Sequence, residues 1–110
     1  MSQRIFEMRT YYACPGRMPA MHTRFRDHTC KLFAKHGMTL VGFWTPADAP
    51  EDRLVYILAY PDRAAADRSW DAFRNDPVWQ KAKADSEKDG PIVARIESVF
   101  LNPTDYSPAK

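Results

Sequence analysis

The chain has 110 residues, of which 45% are hydrophobic and 27% are charged, and these values predict one globular domain with one core. The net charge of +2 is small and the basic residues are scattered, so we expect no nucleic-acid partner and no membrane-surface partner. No apolar run approaches the roughly 18 residues that a membrane span needs.

The compartment is inferred from the start of the chain and from the cysteines. A strand pattern begins a few residues after Met1, and this fits neither a secretory signal nor a transit peptide. Without such a signal, Cys14 and Cys30 are expected to be free thiols. We therefore expect a cytoplasmic protein.

The opening strand, Arg4 to Tyr12, alternates two sets of side chains. One set is Phe6, Met8, Thr10 and Tyr12, and the other is Ile5, Glu7, Arg9 and Tyr11. We expect the first set to pack under helices in the usual way. The second set, which contains a carboxylate and a guanidinium, is expected on the opposite face of the sheet.

The first helix is predicted over Met18 to His36, with Gly37 suited to the position after its end. An apolar stripe at spacings of three and four forms its buried face. That stripe consists of Met21, Phe25, Leu32 and Phe33, with His28 and Thr29 on the same side. We expect His28 to be partly buried rather than a ligand.

Three strands and two helices follow. Strands are predicted over Thr39 to Thr45, Leu54 to Tyr60 and Ile92 to Leu101, and the second of these is apolar enough for a central position. Asp62 and Asp76 are predicted N-caps of helices that end near Asn75 and Lys88. The domain is expected to span residues 1–101, with an irregular tail over 102–110.

The element order β-α-β-β-α-α-β predicts a ferredoxin-like α+β sandwich. Its sheet would have four antiparallel strands, with the first and last strands adjacent and the helices on one face. The opposite face would have no cover from the chain itself, and we expect a homodimer to bury it. The apolar residues expected on that face are Tyr11, Trp44, Tyr56, Val93 and Val99.

Several segments resemble the NIPSNAP domain in sequence and in order. They are Glu7-Met8-Arg9-Thr10-Tyr11, Pro15-Gly16, Phe33-Ala34-Lys35-His36-Gly37, Val41-Gly42-Phe43-Trp44-Thr45, Arg68-Ser69-Trp70-Asp71-Ala72-Phe73, Asp76-Pro77-Val78-Trp79 and Pro103-Thr104-Asp105-Tyr106-Ser107-Pro108. The resemblance covers nearly the whole chain. It implies a dimeric α+β barrel, in which two sandwiches join sheet to sheet around internal cavities.

The same resemblance does not imply one reaction. The wider superfamily includes cofactor-free monooxygenases, isomerases and haem-dependent enzymes. Many NIPSNAP sequences have a histidine within the third strand, where this chain has Val55-Tyr56-Ile57-Leu58. Imidazole chemistry is therefore not expected here.

The charged residues of the first and last strands are the candidate site. One interpretation is a cross-strand ladder that pairs Glu7 with Arg95 and Arg9 with Glu97. The other is a pocket in which Arg9 or Arg95 binds a ligand carboxylate while Glu7 or Glu97 transfers protons. The two interpretations are compatible and both stay open.

The other candidate residues are aromatic. Tyr11, Trp44 and Tyr56 are predicted to bind a planar ligand, although aromatic residues in strands also form cores and interfaces. No cofactor and no metal site are predicted, because the three histidines lack metal-binding spacing. Trp70 and Trp79 are predicted to pack in the core without a chemical role.

We therefore expect a homodimeric NIPSNAP-like protein that binds a small aromatic or acidic molecule in a cavity between the two sheets. One alternative is a cofactor-independent monooxygenase or isomerase, and another is a non-catalytic interaction module. Whether dimers associate further through the tail is left open.

Overall fold

The computed structural model describes residues 4–110, which form one antiparallel sheet with helices on one face. Its strands are β1 (Ile5–Ala13), β2 (Thr39–Trp44), β3 (Arg53–Tyr60) and β4 (Val93–Leu101). The strand order is β2-β3-β1-β4, so β3 is central and β1 lies beside β4. The predicted ferredoxin-like α+β fold is confirmed.

The helices form three segments. The first contains α1 (Met18–Arg24), a π-helical stretch (Phe25–Thr29) and α2 (Cys30–Lys35), and it is followed by α3 (Arg63–Arg74) and α4 (Pro77–Ser86). The predicted caps are confirmed. The Asp62 carboxylate accepts the Ala65 N–H at 2.8 Å, and the Asp76 carboxylate accepts the Val78 N–H at 2.9 Å.

The π-helical stretch was not predicted. Cys30 N–H bonds to the Phe25 carbonyl, and the Thr29 hydroxyl donates to the Arg24 carbonyl at 3.3 Å. A π turn contains more residues than an α turn, so the regular spacing of the stripe does not hold across it. Thr29 is buried as expected, whereas His28 is exposed, and the prediction that His28 is partly buried is wrong.

The core lies between the helices and one face of the sheet, which we call the helix-covered face. In β1 this face carries Glu7, Arg9 and Tyr11. The edge-on contact of Tyr11 with Phe25 of the first helical segment shows which face this is. Tyr56 of β3 is fully buried there. The prediction that these residues lie on the uncovered face is therefore wrong, and Phe6, Met8, Thr10 and Tyr12 occupy that face instead.

The second face, which we call the open face, is partly covered by the C-terminal tail. Phe6 is 7% exposed and Ala59 is 0% exposed, although both are on this face. A groove of about 370 Å³ lies between Phe6, Ile57 and the tail, and Arg4 Nε donates to the Lys110 carbonyl at 3.0 Å. The expectation of a wholly uncovered face is thus corrected at this end of the sheet.

The rest of the open face remains accessible in the single chain. Val41, Trp44 and Val99 are 45%, 50% and 45% exposed. β4 ends at Leu101, and the predicted domain start at residue 1 lies outside the described residues. Within residues 4–110, no helix combines the length and apolar character needed to cross a membrane.

Candidate ligand-binding site

Glu7 is a buried carboxylate that accepts four side-chain hydrogen bonds. Its Oε1 accepts from Tyr60 Oη at 2.7 Å and from Trp70 Nε1 at 2.8 Å. Its Oε2 accepts from Ser98 Oγ at 2.6 Å and from Arg9 Nη1 at 2.9 Å. Burial raises the pKa of Glu7, but these hydrogen bonds outweigh it and lower the pKa below its usual value. Glu7 is therefore ionised and its lone pairs are engaged.

Arg9 is held from several sides. Besides its contact with Glu7, its Nε donates to Tyr56 Oη at 3.0 Å and its Nη2 donates to Tyr11 Oη at 3.4 Å. Its Cζ lies 4.2 Å from the centroid of the Trp70 ring, so the guanidinium stacks on the indole. The side chain is 13% exposed and lines a cavity.

That cavity has a volume of about 470 Å³, and we call it the sheet–helix cavity. It lies between the helix-covered face and helices α3 and α4, and its volume is in the range typical of small-molecule sites. Its polar walls are formed by Arg9, Tyr11, Arg24, Arg74, Lys83 and Glu87. Its aromatic walls are formed by Trp70, Phe73 and Trp79.

Arg24 of α1 borders this cavity and is only 3% exposed. Its Nη1 donates to Ser86 Oγ at 3.2 Å and lies 3.8 Å from Glu87 Oε2. Its Nε has no hydrogen-bond partner within residues 4–110. Burial lowers the pKa of Arg24, and the nearby Glu87 carboxylate opposes that effect. Arg24 is thus a buried cation with incomplete pairing.

The rim of the sheet–helix cavity carries more positive charge than negative charge. Arg74 and Lys83 lie at the rim and are mostly exposed, and Glu87 is the one carboxylate among the lining residues in the described part of the chain. Lys83 Nζ donates to Glu87 Oε1 at 3.3 Å. The field in the cavity therefore favours an anion.

A second cleft of about 440 Å³ shares Arg9, Trp70 and Arg74 with this cavity. Its further charged walls include Arg63, Asp67 and Asp71, so its charges are close to balanced. Arg63 is also engaged, with its Cζ 3.7 Å from the Phe100 ring centroid. This cleft is the weaker candidate for an anionic ligand.

The structure separates the predicted site residues into two groups. Glu7, Arg9, Tyr11 and Tyr56 come together on the helix-covered face. Trp44, Arg95 and Glu97 belong to the open face, where Tyr12 Oη donates to Glu97 Oε1 at 2.9 Å. Arg95 borders the sheet–helix cavity, but its Cζ lies 4.0 Å from the Tyr12 ring on the other side of the sheet.

The predicted charge ladder between β1 and β4 is wrong. Glu7 lies opposite Phe100, and Arg9 lies opposite Ser98. Arg95 lies opposite Tyr12, and Glu97 lies opposite Thr10. The register places the two charged sets on different faces, so they cannot pair across the strands.

Sequence reasoning missed several residues of the site. Arg24 follows Met21 by three positions, and this spacing on a buried stripe is a signal that could have identified it. Trp70 was predicted to pack only, but its indole N–H donates to Glu7 and to Tyr60 Oη. Within residues 4–110, no group of three or more His, Cys, Asp or Glu side chains could hold a metal ion.

The chain is thus a ferredoxin-like α+β sandwich with one four-stranded antiparallel sheet and helices on one face. The NIPSNAP family model matches residues 6–108, and the chain therefore belongs to the NIPSNAP family. No curated protein matches the chain.

Solved structures of several bacterial proteins have a similar fold. An uncharacterized NIPSNAP domain protein from Burkholderia xenovorans is 27% identical with a TM-score of 0.81, covering 94% of this chain and 98% of that one. A NIPSNAP family protein of unknown function from Agrobacterium tumefaciens is 22% identical with a TM-score of 0.86, covering 99% of this chain and 96% of that one. A variant of SnoaB, a cofactor-independent oxygenase from Streptomyces nogalater, is 13% identical with a TM-score of 0.67, covering 96% and 98%.

Proposed function

We propose that this chain binds a small aromatic anion in the sheet–helix cavity. The observation that carries the proposal is the arrangement of Arg9 and Arg24, two largely buried guanidinium groups, beside the indoles of Trp70 and Trp79 in one cavity. The proposed ligand belongs to the aromatic or acidic class expected from the sequence. Its proposed location is now between sheet and helices instead of between two sheets.

The chemistry of the walls supports this class of ligand. Planar guanidinium groups match carboxylates in shape and charge, and indole rings offer flat apolar surfaces to an aromatic ring. Glu7 acts here as a positioning residue, because its four hydrogen bonds fix Arg9 and Trp70 and leave no lone pair for proton transfer. Glu97 would have no role in this cavity, since it lies on the open face.

The direct test is isothermal titration calorimetry with 1-naphthoate and with the neutral 1-naphthamide. The two probes share an aromatic ring system and differ in charge. We expect 1-naphthoate to bind at least tenfold more tightly than 1-naphthamide. Equal affinities, or no binding of either compound at millimolar concentrations, would contradict the proposed function.

A second candidate function is cofactor-independent oxygenation or isomerisation of such an anion. The arginines of the cavity favour it, because positive charge stabilises an enolate-like or phenolate-like substrate. SnoaB has oxygenase activity on the same fold. Oxygen uptake in the presence of an acidic polyphenol would support oxygenation, and binding of the polyphenol without turnover would favour a pure binding protein.

We further propose that the chain forms a homodimer through the open face. Val41, Trp44 and Val99 leave apolar surface exposed there, and the tail covers only one end. A non-catalytic interaction module would use the same surface. It differs from the leading proposal in predicting no ligand for the sheet–helix cavity.

The proposed compartment is the reducing cytoplasm. Cys14 and Cys30 are both free, and burial raises the pKa of the Cys30 thiol. A raised pKa disfavours the reactive thiolate, so Cys30 is suited to packing rather than to catalysis.

A further inference from the structure

We propose that Arg24, rather than Arg9, is the residue that binds the anionic group of the ligand. This inference rests on the proposed function and names the anchor within the same cavity. The ligand would be an aromatic carboxylate whose carboxylate lies against Arg24 and whose ring lies against Trp79.

The two arginines differ in how fully their charge is compensated. Arg9 is paired at 2.9 Å with a carboxylate that is itself 2% exposed, and it also donates to two tyrosine hydroxyls. A ligand carboxylate at Arg9 would therefore approach the negative charge of Glu7. Arg9 is better suited to shaping the cavity than to holding an anion.

Arg24 has no comparable partner. Its hydrogen bond to a protein side chain goes to the neutral hydroxyl of Ser86, which in turn donates to the Lys83 carbonyl at 2.7 Å. Glu87 is 3.8 Å away, outside hydrogen-bond distance, and its carboxylate also accepts from Lys83. Burying such a charge raises the free energy of the folded chain unless a partner of opposite charge pairs with it.

The unpaired atoms form one edge of the guanidinium. Nε is buried without a partner, and Nη2 makes no hydrogen bond within residues 4–110. Nε and one Nη group together form the edge that binds a carboxylate through two parallel hydrogen bonds, and the side chains that cover Nε would have to shift for a ligand to reach this edge. The Arg24 Cζ lies 5.4 Å from the centroid of the Trp79 ring, so an aromatic group attached to that carboxylate would meet an indole surface.

Arg26 provides a matched control. It lies two positions further along the same helical segment, it is exposed, and it borders neither the sheet–helix cavity nor the second cleft. Replacing Arg26 with methionine removes the same charge from the same helix without changing the cavity. The comparison therefore separates a local contact from a general loss of positive charge.

The experiment measures the affinities of 1-naphthoate and 1-naphthamide for the full chain and for the variants Arg24→Met, Arg24→Lys and Arg26→Met. We expect Arg24→Met to weaken 1-naphthoate binding at least tenfold while the affinity for 1-naphthamide changes less than twofold. Arg24→Lys should lose an intermediate amount, because a lysine keeps the charge but not the paired hydrogen bonds. Arg26→Met should bind both probes like the unchanged chain.

The melting temperature without ligand gives a second readout. Methionine fills a similar volume without a buried charge, so we expect Arg24→Met to melt at the same or a higher temperature than the unchanged chain. If Arg24→Met does not fold, Arg24→Lys is used instead. Its ratio of affinities for 1-naphthoate and 1-naphthamide is then compared with the ratio for the unchanged chain. If Arg24 only stabilises the fold, Arg24→Met will lower the melting temperature and weaken the binding of both probes equally. That result would overturn the proposal.

The outcomes also separate this inference from the proposed function. If the unchanged chain shows no preference for 1-naphthoate over 1-naphthamide, the proposed function fails, and the role of Arg24 fails with it. If the preference is present and Arg24→Met retains it, the proposed function stands and Arg24 is not the anchor.

Discussion

Arg9 Nη1 donates to Glu7 Oε2 at 2.9 Å, and this ion pair joins two side chains of one strand on the helix-covered face of the sheet. Residues two apart on a strand point the same way, so β1 brings both charges to the core. Trp70 of α3, Tyr60 of β3 and Ser98 of β4 donate the carboxylate's other three hydrogen bonds. The pair thus links the sheet to the helices and forms one wall of the sheet–helix cavity.

Breaking this pair should destabilise the protein strongly. Glu7→Gln removes the charge that compensates Arg9, and losing one partner of a buried ion pair costs about 3–5 kcal/mol. The free energy of unfolding from urea titration measures the effect. Glu97→Gln is the matched control on the exposed side of the sheet, where we expect a change within about 0.5 kcal/mol. Equal effects of the two substitutions would contradict the assigned faces.

Acid should destabilise the protein through the same carboxylate. The pKa of Glu7 is lower in the folded chain than the roughly 4.3 of an unfolded glutamate, so its stabilising effect is complete above that pH. As the pH falls below about 4.3, the unfolded chain takes up the proton first and stability decreases. Melting temperatures measured from pH 7 to pH 2.5 should therefore fall less steeply for Glu7→Gln. Parallel curves for the two proteins would show that Glu7 has an ordinary pKa.

Asp76 should add to this acid sensitivity. Hydrogen bonds from Lys35 and His36, at 2.8 and 2.7 Å, and from the Val78 N–H lower the pKa of Asp76. The same sign applies, so its contribution is present above the pKa of an unfolded aspartate and is lost as the pH falls. Asp76→Asn should flatten the curve further when it is combined with Glu7→Gln. The two effects should add, because the groups belong to separate networks.

Two tyrosines, each of which donates a hydrogen bond to a different glutamate, allow a buried and an exposed hydrogen bond to be compared. Tyr60 donates to buried Glu7 at 2.7 Å, whereas Tyr12 donates to exposed Glu97 at 2.9 Å. Tyr60→Phe should cost about 1.5–3 kcal/mol, since it removes a hydrogen bond to a buried charge. Tyr12→Phe should change stability by less than about 0.5 kcal/mol. Chemical denaturation of both variants tests the difference, and a larger cost for Tyr12→Phe would contradict the account.

The elements of this fold are largely predictable from sequence, because their signals are local. Asp62 and Asp76 mark helix starts, and each carboxylate accepts the backbone N–H that the pattern predicts. Alternation in β1 correctly separates its two sets of side chains. The π-helical stretch was missed, because the pattern used to find helices assumes 3.6 residues in every turn and a π turn contains more.

The candidate site was less predictable, because it depends on partners that are distant in sequence. Alternation cannot say which set faces the helices, and the charged set was assigned to the wrong side. Glu7 and Arg9 can be buried because residues from other elements form hydrogen bonds with them, among them Trp70, Tyr60, Tyr56 and Ser98. Such pairings follow from tertiary structure and not from spacing along the chain.

The proposed homodimer can be tested with two exposed valines. Val99 is 45% exposed on the open face, and Val78 is 54% exposed on α4. Val99→Asp should shift the protein towards monomer in sedimentation velocity experiments, because it places a charge in the proposed interface. Val78→Asp should leave the distribution unchanged. A monomeric unchanged chain at tens of micromolar would rule out the proposed dimer.

The three tryptophan indole N–H groups allow the most direct test of where the ligand binds. Trp70 and Trp79 line the sheet–helix cavity, whereas Trp44 lies half-exposed on the open face. In a ¹H–¹⁵N correlation spectrum recorded during titration with 1-naphthoate, we predict saturable shifts of the Trp70 and Trp79 signals and none for Trp44. A saturable shift of Trp44 with the other two signals unchanged would contradict a ligand site on the helix-covered face.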